Sequence, residues 1–223
     1  MIIAIDGPAG SGKSTTAREV ARRLGFRHLD SGAFYRALTL GALRAGIAVE
    51  RWPTLTAAQL DALDVRALPA EGSFRMTLRG EAVDAEIRAP EINAHVSAMA
   101  KVPAVRTWLL DRLRAAAEGV DLVSEGRDVG TVVFPHAELK IFLVAEPATR
   151  ARRRLRELGI TDPSADDLAA ESGRLLRRDR IDTERDVAPL RKAADAVEID
   201  TSRLGFDEQV GKIVELVERR RTA

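Results

Sequence analysis

A glycine-rich loop that ends in a lysine and a serine opens the chain. Residues 7–14 read GPAGSGKS and fit the pattern G-x-x-x-x-G-K-[ST], directly after an apolar segment and before an amphipathic one. Glycines let consecutive backbone N–H groups converge on phosphate oxygens, and the N-terminus of the next helix adds partial positive charge. In this arrangement Lys13 reaches β- and γ-phosphate oxygens, and the Ser14 hydroxyl faces Mg²⁺. The predicted ATP phosphate site comprises Gly7, Pro8, Ala9, Gly10, Ser11, Gly12, Lys13, Ser14 and Thr15.

Two further segments carry hydroxyl or arginine side chains directly after a predicted strand. In DSGAFYRAL, Ser31 is a good N-cap for the following helix, and Arg36 lies in the second turn of that helix. In EGRDVGTVVFP, Arg127 and Asp128 occupy a turn between two glycines. Both segments belong to the carboxyl edge of a parallel sheet, where ligands bind in such folds. We therefore expect a second anion site beside the loop, and phosphoryl transfer between two bound molecules.

A third cluster of charge lies later in the chain, in LLRRDRIDTERDVAPL. An isolated run of this kind is typical of a solvated helix face with i,i+4 ion pairs. A kinase, however, must keep water from receiving the phosphoryl group, and this requires a mobile segment that closes over both substrates. We therefore predict a helical lid over residues 159–190. In the charge cluster of this segment, Arg177, Arg178, Arg180 and Arg185 surround Asp179 and Asp182.

The elements that must position these residues alternate between apolar strands and amphipathic helices. Strands are predicted at 1–6, 27–30, 121–125, 139–145 and 196–200. Helices are predicted at 14–24, 33–45, 102–118, 147–158 and 206–221. Short alternating pieces between residues 63 and 88 predict a small antiparallel insert. The pattern indicates a single α/β domain over residues 1–223, a doubly wound sheet of five parallel strands with helices on both faces.

Composition limits the classes of partner. The chain has 223 residues, 35 Lys and Arg against 34 Asp and Glu, and no cysteine. A net charge of +1 provides no general attraction to nucleic acid or to an anionic membrane, so we expect neither as a partner. Without a cysteine there is no disulfide or thiolate chemistry, and three scattered histidines make no metal-ligand spacing. With no secretory signal or membrane span in the sequence, we expect a cytoplasmic monomer.

The loop alone leaves the class of phosphate-loop protein open. A GTPase would carry an N-K-x-D motif to read its base, and the sequence has none. A motor-type ATPase would carry a strand ending in acidic residues, for which DLVSEGRD, ending its strand at Glu125, is the nearest candidate. The second anion site favours a kinase over both.

Taken together, the motifs resemble the bacterial cytidylate kinases, a family of nucleoside monophosphate kinases, over essentially the whole chain. The segments that carry the resemblance are IDGPAGSGKST, LDSGAFYRAL, EGRDVGTVVFP, LKIFLVA, RRDRIDTERDVAPL and ADAVEIDTS. The resemblance implies transfer of the ATP γ-phosphoryl group to CMP or dCMP with Mg²⁺. It also implies a monophosphate-binding region over residues 31–100 that includes the β insert.

The resemblance also implies roles for the residues around the phosphates. By position, Ser31, Arg36 and Arg127 would hold the acceptor phosphate, and Arg178 would bridge phosphates in the closed state. The residues expected to act in catalysis are Lys13, Arg127, Arg178 and Arg185.

The cytosine end of the site is likewise implied by the resemblance. Asp128, Ser97 and Arg106 would read the base, while Asp182 and Arg185 would reach its sugar and base from the lid. A carboxylate such as that of Asp128 can accept from the N4 amino group of cytosine, whereas uracil presents a carbonyl there. Kinases for UMP, thymidylate or shikimate, and a nucleotide-binding regulator without catalysis, remain the alternatives.

Overall fold

A five-stranded parallel sheet forms the centre of the protein in a computed structural model, which describes residues 1–222. The strands are β1 (Ile2–Asp6), β2 (Arg27–Asp30), β6 (Leu122–Gly126), β7 (Leu139–Val144) and β8 (Val197–Asp200). Their order across the sheet is β2-β6-β1-β7-β8, so β1 lies in the middle and β6 and β7 flank it. The predicted strands and their parallel arrangement are confirmed, with ends shifted by one residue.

Helices cover both faces of the sheet, as the apolar strands require. Their bounds are α1 (Lys13–Leu24), α2 (Ser31–Arg44), α3 (Ala57–Ala62), α4 (Pro90–Met99), α5 (Pro103–Ala115), α6 (Pro147–Glu157), α7 (Ala165–Glu184) and α8 (Phe206–Arg221). Side chains of β1 alternate between two cores: Ile3 and Ile5 pack with α1 and α8, and Ala4 packs on the opposite side with α2 and α5. The short α3 and the proline-initiated α4 were not predicted as separate helices.

The predicted insert is a small antiparallel sheet of three strands, β3 (Val65–Ala70), β4 (Ser73–Leu78) and β5 (Glu81–Ala82). Gly72 and Gly80 form its turns with φ of 61° and 83°, the left-handed backbone that glycine favours. The insert packs beside α2, one of the helices that carry predicted site residues.

The segment predicted as a lid contains the long helix α7. Ser164 caps α7 by accepting from the Asp167 amide, and Asp167 completes the capping box. Leu175 of α7 packs with Ala151 of α6 and with Ala9 of the glycine-rich loop. This small apolar cluster places α7 directly against the loop.

Among residues 1–222, no helix is both long enough and apolar enough to cross a bilayer.

Gly7 joins β1 to the glycine-rich loop at a position where a side chain does not fit. Its φ is +150°, and a Cβ there would overlap the backbone carbonyl oxygen of Leu143 in β7. Only glycine therefore lets the loop turn away from β1 while β7 stays hydrogen-bonded beside it.

We predict that Gly7→Ala lowers the free energy of unfolding by about 2 to 4 kcal/mol, because strand or loop must move to relieve the overlap. The matched control is Gly211→Ala in α8, where an added Cβ meets no atom within 4 Å among the described residues. This control should raise the free energy of unfolding by about 1 kcal/mol, because alanine is the better helix former. Urea denaturation of both variants measures the two effects, and a Gly7→Ala variant as stable as the parent would contradict the prediction.

Candidate active site

The carboxyl ends of β1, β2 and β6 meet at one edge of the sheet around a cavity of roughly 460 Å³. The glycine-rich loop lines one end of the cavity, and α2, the segment after β6 and helix α7 line the rest. Most of the predicted site residues line it. They are Ala9, Gly10, Gly12, Lys13, Ser14, Thr15, Ser31, Arg36, Ser97, Arg127, Asp128, Arg178, Asp182 and Arg185. Gly7, Pro8, Ser11 and Arg106 lie behind this lining.

The loop turns its backbone toward the cavity and holds Lys13 beneath it. Gly10 and Gly12 adopt φ of 74° and 90°, and α1 begins immediately afterwards at Lys13. The Lys13 ammonium donates to the Pro8 carbonyl oxygen at 2.6 Å and is buried. Burial lowers the pKa of Lys13 well below its usual value, and Arg127 lowers it further. A bound anion would stabilise the charged form of this lysine.

Ser14 faces a carboxylate that the sequence did not single out as a site residue. Its hydroxyl donates to Glu125 Oε2 at 2.8 Å, and the other oxygen of Glu125 lies 3.3 Å from His28 Nε2. Glu125 and His28 are both buried. Glu125 belongs to the site because β6 lies next to β1 in the sheet, which the chain order of the strands does not reveal.

The N-terminus of α2 differs from its prediction. Asp30 is the N-cap, accepting from the Ala33 amide at 3.1 Å, and Ser31 is the first helical residue. The Ser31 hydroxyl donates to the Glu125 carbonyl oxygen at 2.7 Å instead of capping. The prediction of Ser31 as the cap was wrong because Asp30, an equally good capping residue, stands one position earlier.

Arg36 faces the cavity from α2 and contacts Asn93 of α4. Its Nε donates to Asn93 Oδ1 at 3.4 Å, and burial lowers its pKa. Arg88 pairs with Asp30, the N-cap of the same helix, at 2.7 Å. Arg88 and Asn93 both line the cavity and were missed in the sequence, where neither lies in a motif.

Asp128 lines the cavity from the segment after β6. It is buried between two arginines, ion-paired to Arg106 and 3.3 Å from Arg185 Nη2. Burial raises the pKa of Asp128, and the two arginines act in the opposite direction. Arg106 is not part of the lining, but it contacts three residues that are: it pairs with Asp128, donates to the Ala100 carbonyl oxygen at 3.1 Å and lies over the Tyr35 ring.

Helix α7 reaches the acceptor side of the cavity through its charged residues. Arg127 Nε donates to Asp182 Oδ2 at 2.9 Å, and Asp182 is buried. Arg178 is partly buried, which lowers its pKa to about 10, and its Nε has no hydrogen-bond partner among residues 1–222. The residues of the predicted lid thus contact those of the predicted acceptor site.

A second contact ties α7 to the glycine-rich loop. Asp179 Oδ1 accepts from the Ala9 amide at 2.9 Å, and its other oxygen pairs with Arg150 of α6. Arg150 is buried and also donates to the Ala9 carbonyl oxygen at 3.0 Å. Asp179 appeared in the sequence only as one acid in an arginine-rich run, because its partners lie far away in the chain.

Comparison with known proteins identifies the family. A family model described as cytidylate kinase matches residues 3–219. The chain belongs to the cytidylate kinase family. It is 47% identical to the cytidylate kinase of Pelotomaculum thermopropionicum over 213 residues, covering 95% of this chain and 93% of that one. It is 44% identical to the cytidylate kinase of Mycobacterium leprae over 221 residues, covering 99% and 96%. The predicted family of nucleoside monophosphate kinases is confirmed.

A solved structure supports the fold. An uncharacterized protein from Eubacterium ventriosum matches with a TM-score of 0.55 over 98% of both chains. Its sequence is 13% identical to this one, so the likeness concerns the fold alone.

For this member of the cytidylate kinase family we predict that Asp179→Ala frees α7 from the loop, because Arg150 and the Ala9 amide then lose their partner. Trypsin cleavage within residues 159–190 should become faster by about tenfold, which corresponds to roughly 1.4 kcal/mol of lost docking energy. The matched control is Asp166→Ala, an exposed residue in the first turn of the same helix. Equal cleavage rates in the parent and Asp179→Ala would contradict the prediction.

Proposed function

We propose that this protein transfers the γ-phosphoryl group of ATP to CMP or dCMP, giving ADP and CDP or dCDP. The observation that supports it best is that one cavity is lined both by Lys13 of the phosphate loop and by Arg36, Arg127 and Asp128 of the expected acceptor site. Phosphoryl transfer requires donor and acceptor to be held end to end, and a shared cavity provides this arrangement. The family assignment supports the same reaction.

The donor phosphates would lie on the loop. Backbone N–H groups of residues 10–15 surround the N-terminus of α1, whose partial positive charge favours an anion. Lys13 would exchange the Pro8 carbonyl oxygen for phosphate oxygens that carry full negative charge. The exchange stabilises the ammonium and supplies positive charge where the transition state accumulates negative charge.

Ser14 and Glu125 fit a magnesium ion bound with ATP. Both offer oxygen atoms, the ligand type that Mg²⁺ prefers, and they already meet at 2.8 Å beside the loop. When bound, Mg²⁺ would neutralise charge on the β- and γ-phosphate oxygens. Ser14 would bind the ion directly and Glu125 would orient a water on it.

The acceptor phosphate would bind between Ser31, Arg36 and Arg127. Gly32 makes room for this, because a Cβ there would lie 2.7 Å from Arg36 Nη1. Arg36 can therefore lie across the N-terminus of α2, next to Ser31. Two guanidinium groups and a helix N-terminus form a site suited to a phosphate dianion.

The base would be read at Asp128. Its two oxygens are held by Arg106 and Arg185, and each oxygen keeps a lone pair for a further donor. The N4 amino group of cytosine is such a donor, while the uracil carbonyl would be repelled. Ser97 lies on the same wall of the cavity and would contact the base edge.

Binding of the acceptor requires an exchange of ion pairs at the lid. Asp182 pairs with Arg127 in the place where we expect the acceptor phosphate, so Asp182 must release this arginine and become free to reach the sugar. Arg178 of α7 and Arg185, the C-cap of the same helix, would then bridge the reactants. Closure in this way would exclude water from the migrating phosphoryl group.

The remaining expectations extend this proposal. The region 31–100 would bind the monophosphate and 159–190 would act as the lid, within one domain. Action in the cytoplasm, where both nucleotides occur, and action as a monomer remain predictions.

We expect CMP and dCMP to be phosphorylated and UMP and dTMP to be poor acceptors, because uracil and thymine present a carbonyl and no amino group to Asp128. Shikimate has no base to pair with Asp128, and AMP tests whether the cavity accepts a larger base that also carries an amino group. An ADP-release assay with each acceptor in turn measures this.

Lys13→Ala should lower turnover about a hundredfold to a thousandfold, because it removes a cation from the transition state.

Lys212→Ala is the matched control, since it removes an exposed lysine of α8 far from the cavity.

Equal turnover of UMP and CMP would refute the cytosine assignment. Binding of ATP without any phosphorylated acceptor would refute the kinase and favour a nucleotide-binding regulator.

We predict that Asp128→Asn lowers kcat/KM for CMP more than for UMP, because the asparagine amide can donate to the uracil carbonyl. The CMP to UMP ratio of kcat/KM should fall by about tenfold or more. Asp186→Asn, an exposed residue beyond α7, is the matched control and should leave the ratio unchanged. An equal loss for both nucleotides would mean that Asp128 supports the structure and does not read the base.

A further inference from the structure

A buried carboxylate at the end of β1 holds the turn that carries Arg127 and Asp128. Asp6 is 4% exposed, and both of its oxygens accept backbone hydrogen bonds. Oδ1 accepts from the Val129 amide at 2.9 Å and Oδ2 from the Gly130 amide at 2.7 Å. The next residue after Asp6 is Gly7, where the phosphate loop starts. One side chain therefore connects the donor loop to the turn of the acceptor site.

The two amides belong to a short helical turn that starts at Asp128. Residues Val129–Val133 form one π-helical turn, in which the Val133 and Phe134 amides reach back five residues. Asp128 occupies the N-cap position of this turn. An aspartate there normally accepts from the second or third amide of the helix, but the Asp128 side chain makes no capping hydrogen bond. Its oxygens point instead to Arg106 and Arg185.

We propose that Asp6 is a positioning residue that caps this turn in place of Asp128 and so leaves the Asp128 carboxylate free to read the cytosine base. This inference rests on the proposed function for the identity of the base. Without the Asp6 carboxylate, the Val129 and Gly130 amides would lack an acceptor in a buried place, which is costly. Asp128 is the carboxylate nearest to them along the chain and would turn to cap them.

The ionised form of Asp6 lowers the free energy of unfolding. Its carboxylate is therefore explained by the position it gives to the turn at Asp128 and not by a gain in stability. Burial raises its pKa to about 6, in spite of the two amide hydrogen bonds that lower it. Because the folded pKa exceeds the unfolded value of 3.8, the Asp6 contribution to the free energy of unfolding falls as the pH rises from about 4 to about 6. Above about pH 6 the ionised Asp6 lowers the free energy of unfolding by a constant amount.

Two charged groups act on the pKa of Asp6, and a third lies near the turn that Asp6 holds. Asp128 raises its pKa and Lys13 lowers it. Lys140 of β7 packs its aliphatic stem on Gly130, while its ammonium pairs with Asp195 at 2.8 Å. Below about pH 6 the protonated Asp6 would keep one carbonyl oxygen as an acceptor, so one of its two amide hydrogen bonds would weaken.

Asp6→Asn tests the proposal, because asparagine keeps the size and one acceptor oxygen but faces the second amide with an N–H group. It removes a buried charge, so the variant should fold. At about pH 8, where the second ionisation of CMP is complete, the CMP to UMP ratio of kcat/KM should fall by about tenfold, with KM for ATP unchanged within about twofold. Asp207→Asn, an exposed aspartate in α8, is the matched control. An unchanged ratio, or an equal loss for ATP, CMP and UMP, would overturn the proposal.

A measurement on the parent protein without nucleotide separates this proposal from the proposed function. The amide resonances of Val129 and Gly130 should titrate together between about pH 5 and pH 8 with a midpoint near 6, as Asp6 ionises. The same titration should vanish in Asp6→Asn. Val129 and Gly130 amide resonances that are the same in Asp6→Asn as in the parent at about pH 8 would overturn the role of Asp6, whether or not CMP is a substrate. If CMP is not phosphorylated by the parent protein while the amides titrate as expected, the proposed function fails and the capping role of Asp6 stands.

Discussion

Lys13, Arg36 and Arg178 face a single cavity, and burial lowers the pKa of each of them because their charges have lost part of their hydration. Buried cations without a partner cost free energy, and bound phosphates would lower that cost. Two apolar cores, one on each face of the sheet, provide the stability that lets the rim carry this charge. The cavity is therefore electrostatically suited to an anion.

Acidic side chains pair with other arginines around the cavity. Asp182 pairs with Arg127, Asp128 with Arg106 and Arg185, and Asp179 with Arg150. The pair of Asp182 and Arg127, with the contact of Asp179 to the loop, also attaches α7 to the floor of the cavity. A ligand that binds these arginines would therefore compete with ion pairs inside the protein, which would couple its binding to the position of α7.

The backbone around the loop leaves little freedom for these side chains. Gly7 passes so close to β7 that no other residue fits, and Asp6 beside it fixes the turn after β6. Ser31 and Ser14 both contact Glu125, one through its backbone oxygen and one through its carboxylate. The glycine-rich loop, helix α2 and the turn at Asp128 are hence joined through three adjacent strands rather than through flexible side chains.

Local sequence was enough to predict the glycine-rich loop between β1 and α1, the five parallel strands and a helical segment within residues 159–190, because glycine spacing, apolar runs and charge density are properties of neighbouring residues. The resemblance to a family then supplied Ser97 and Arg106, which no local pattern marks. Asp6 and Glu125 could not be found in this way, since their partners lie 123 and 111 residues away and meet them only when β6 pairs with β1. Asp30 and not Ser31 is the N-cap of α2. Both are good capping residues, and only the backbone angles of the folded chain decide which of the two starts the helix. The sequence alone thus determines which functional groups the protein has. Which of these groups contact one another is decided by the sheet order β2-β6-β1-β7-β8, because strand pairing is a long-range contact that leaves no local pattern in the sequence.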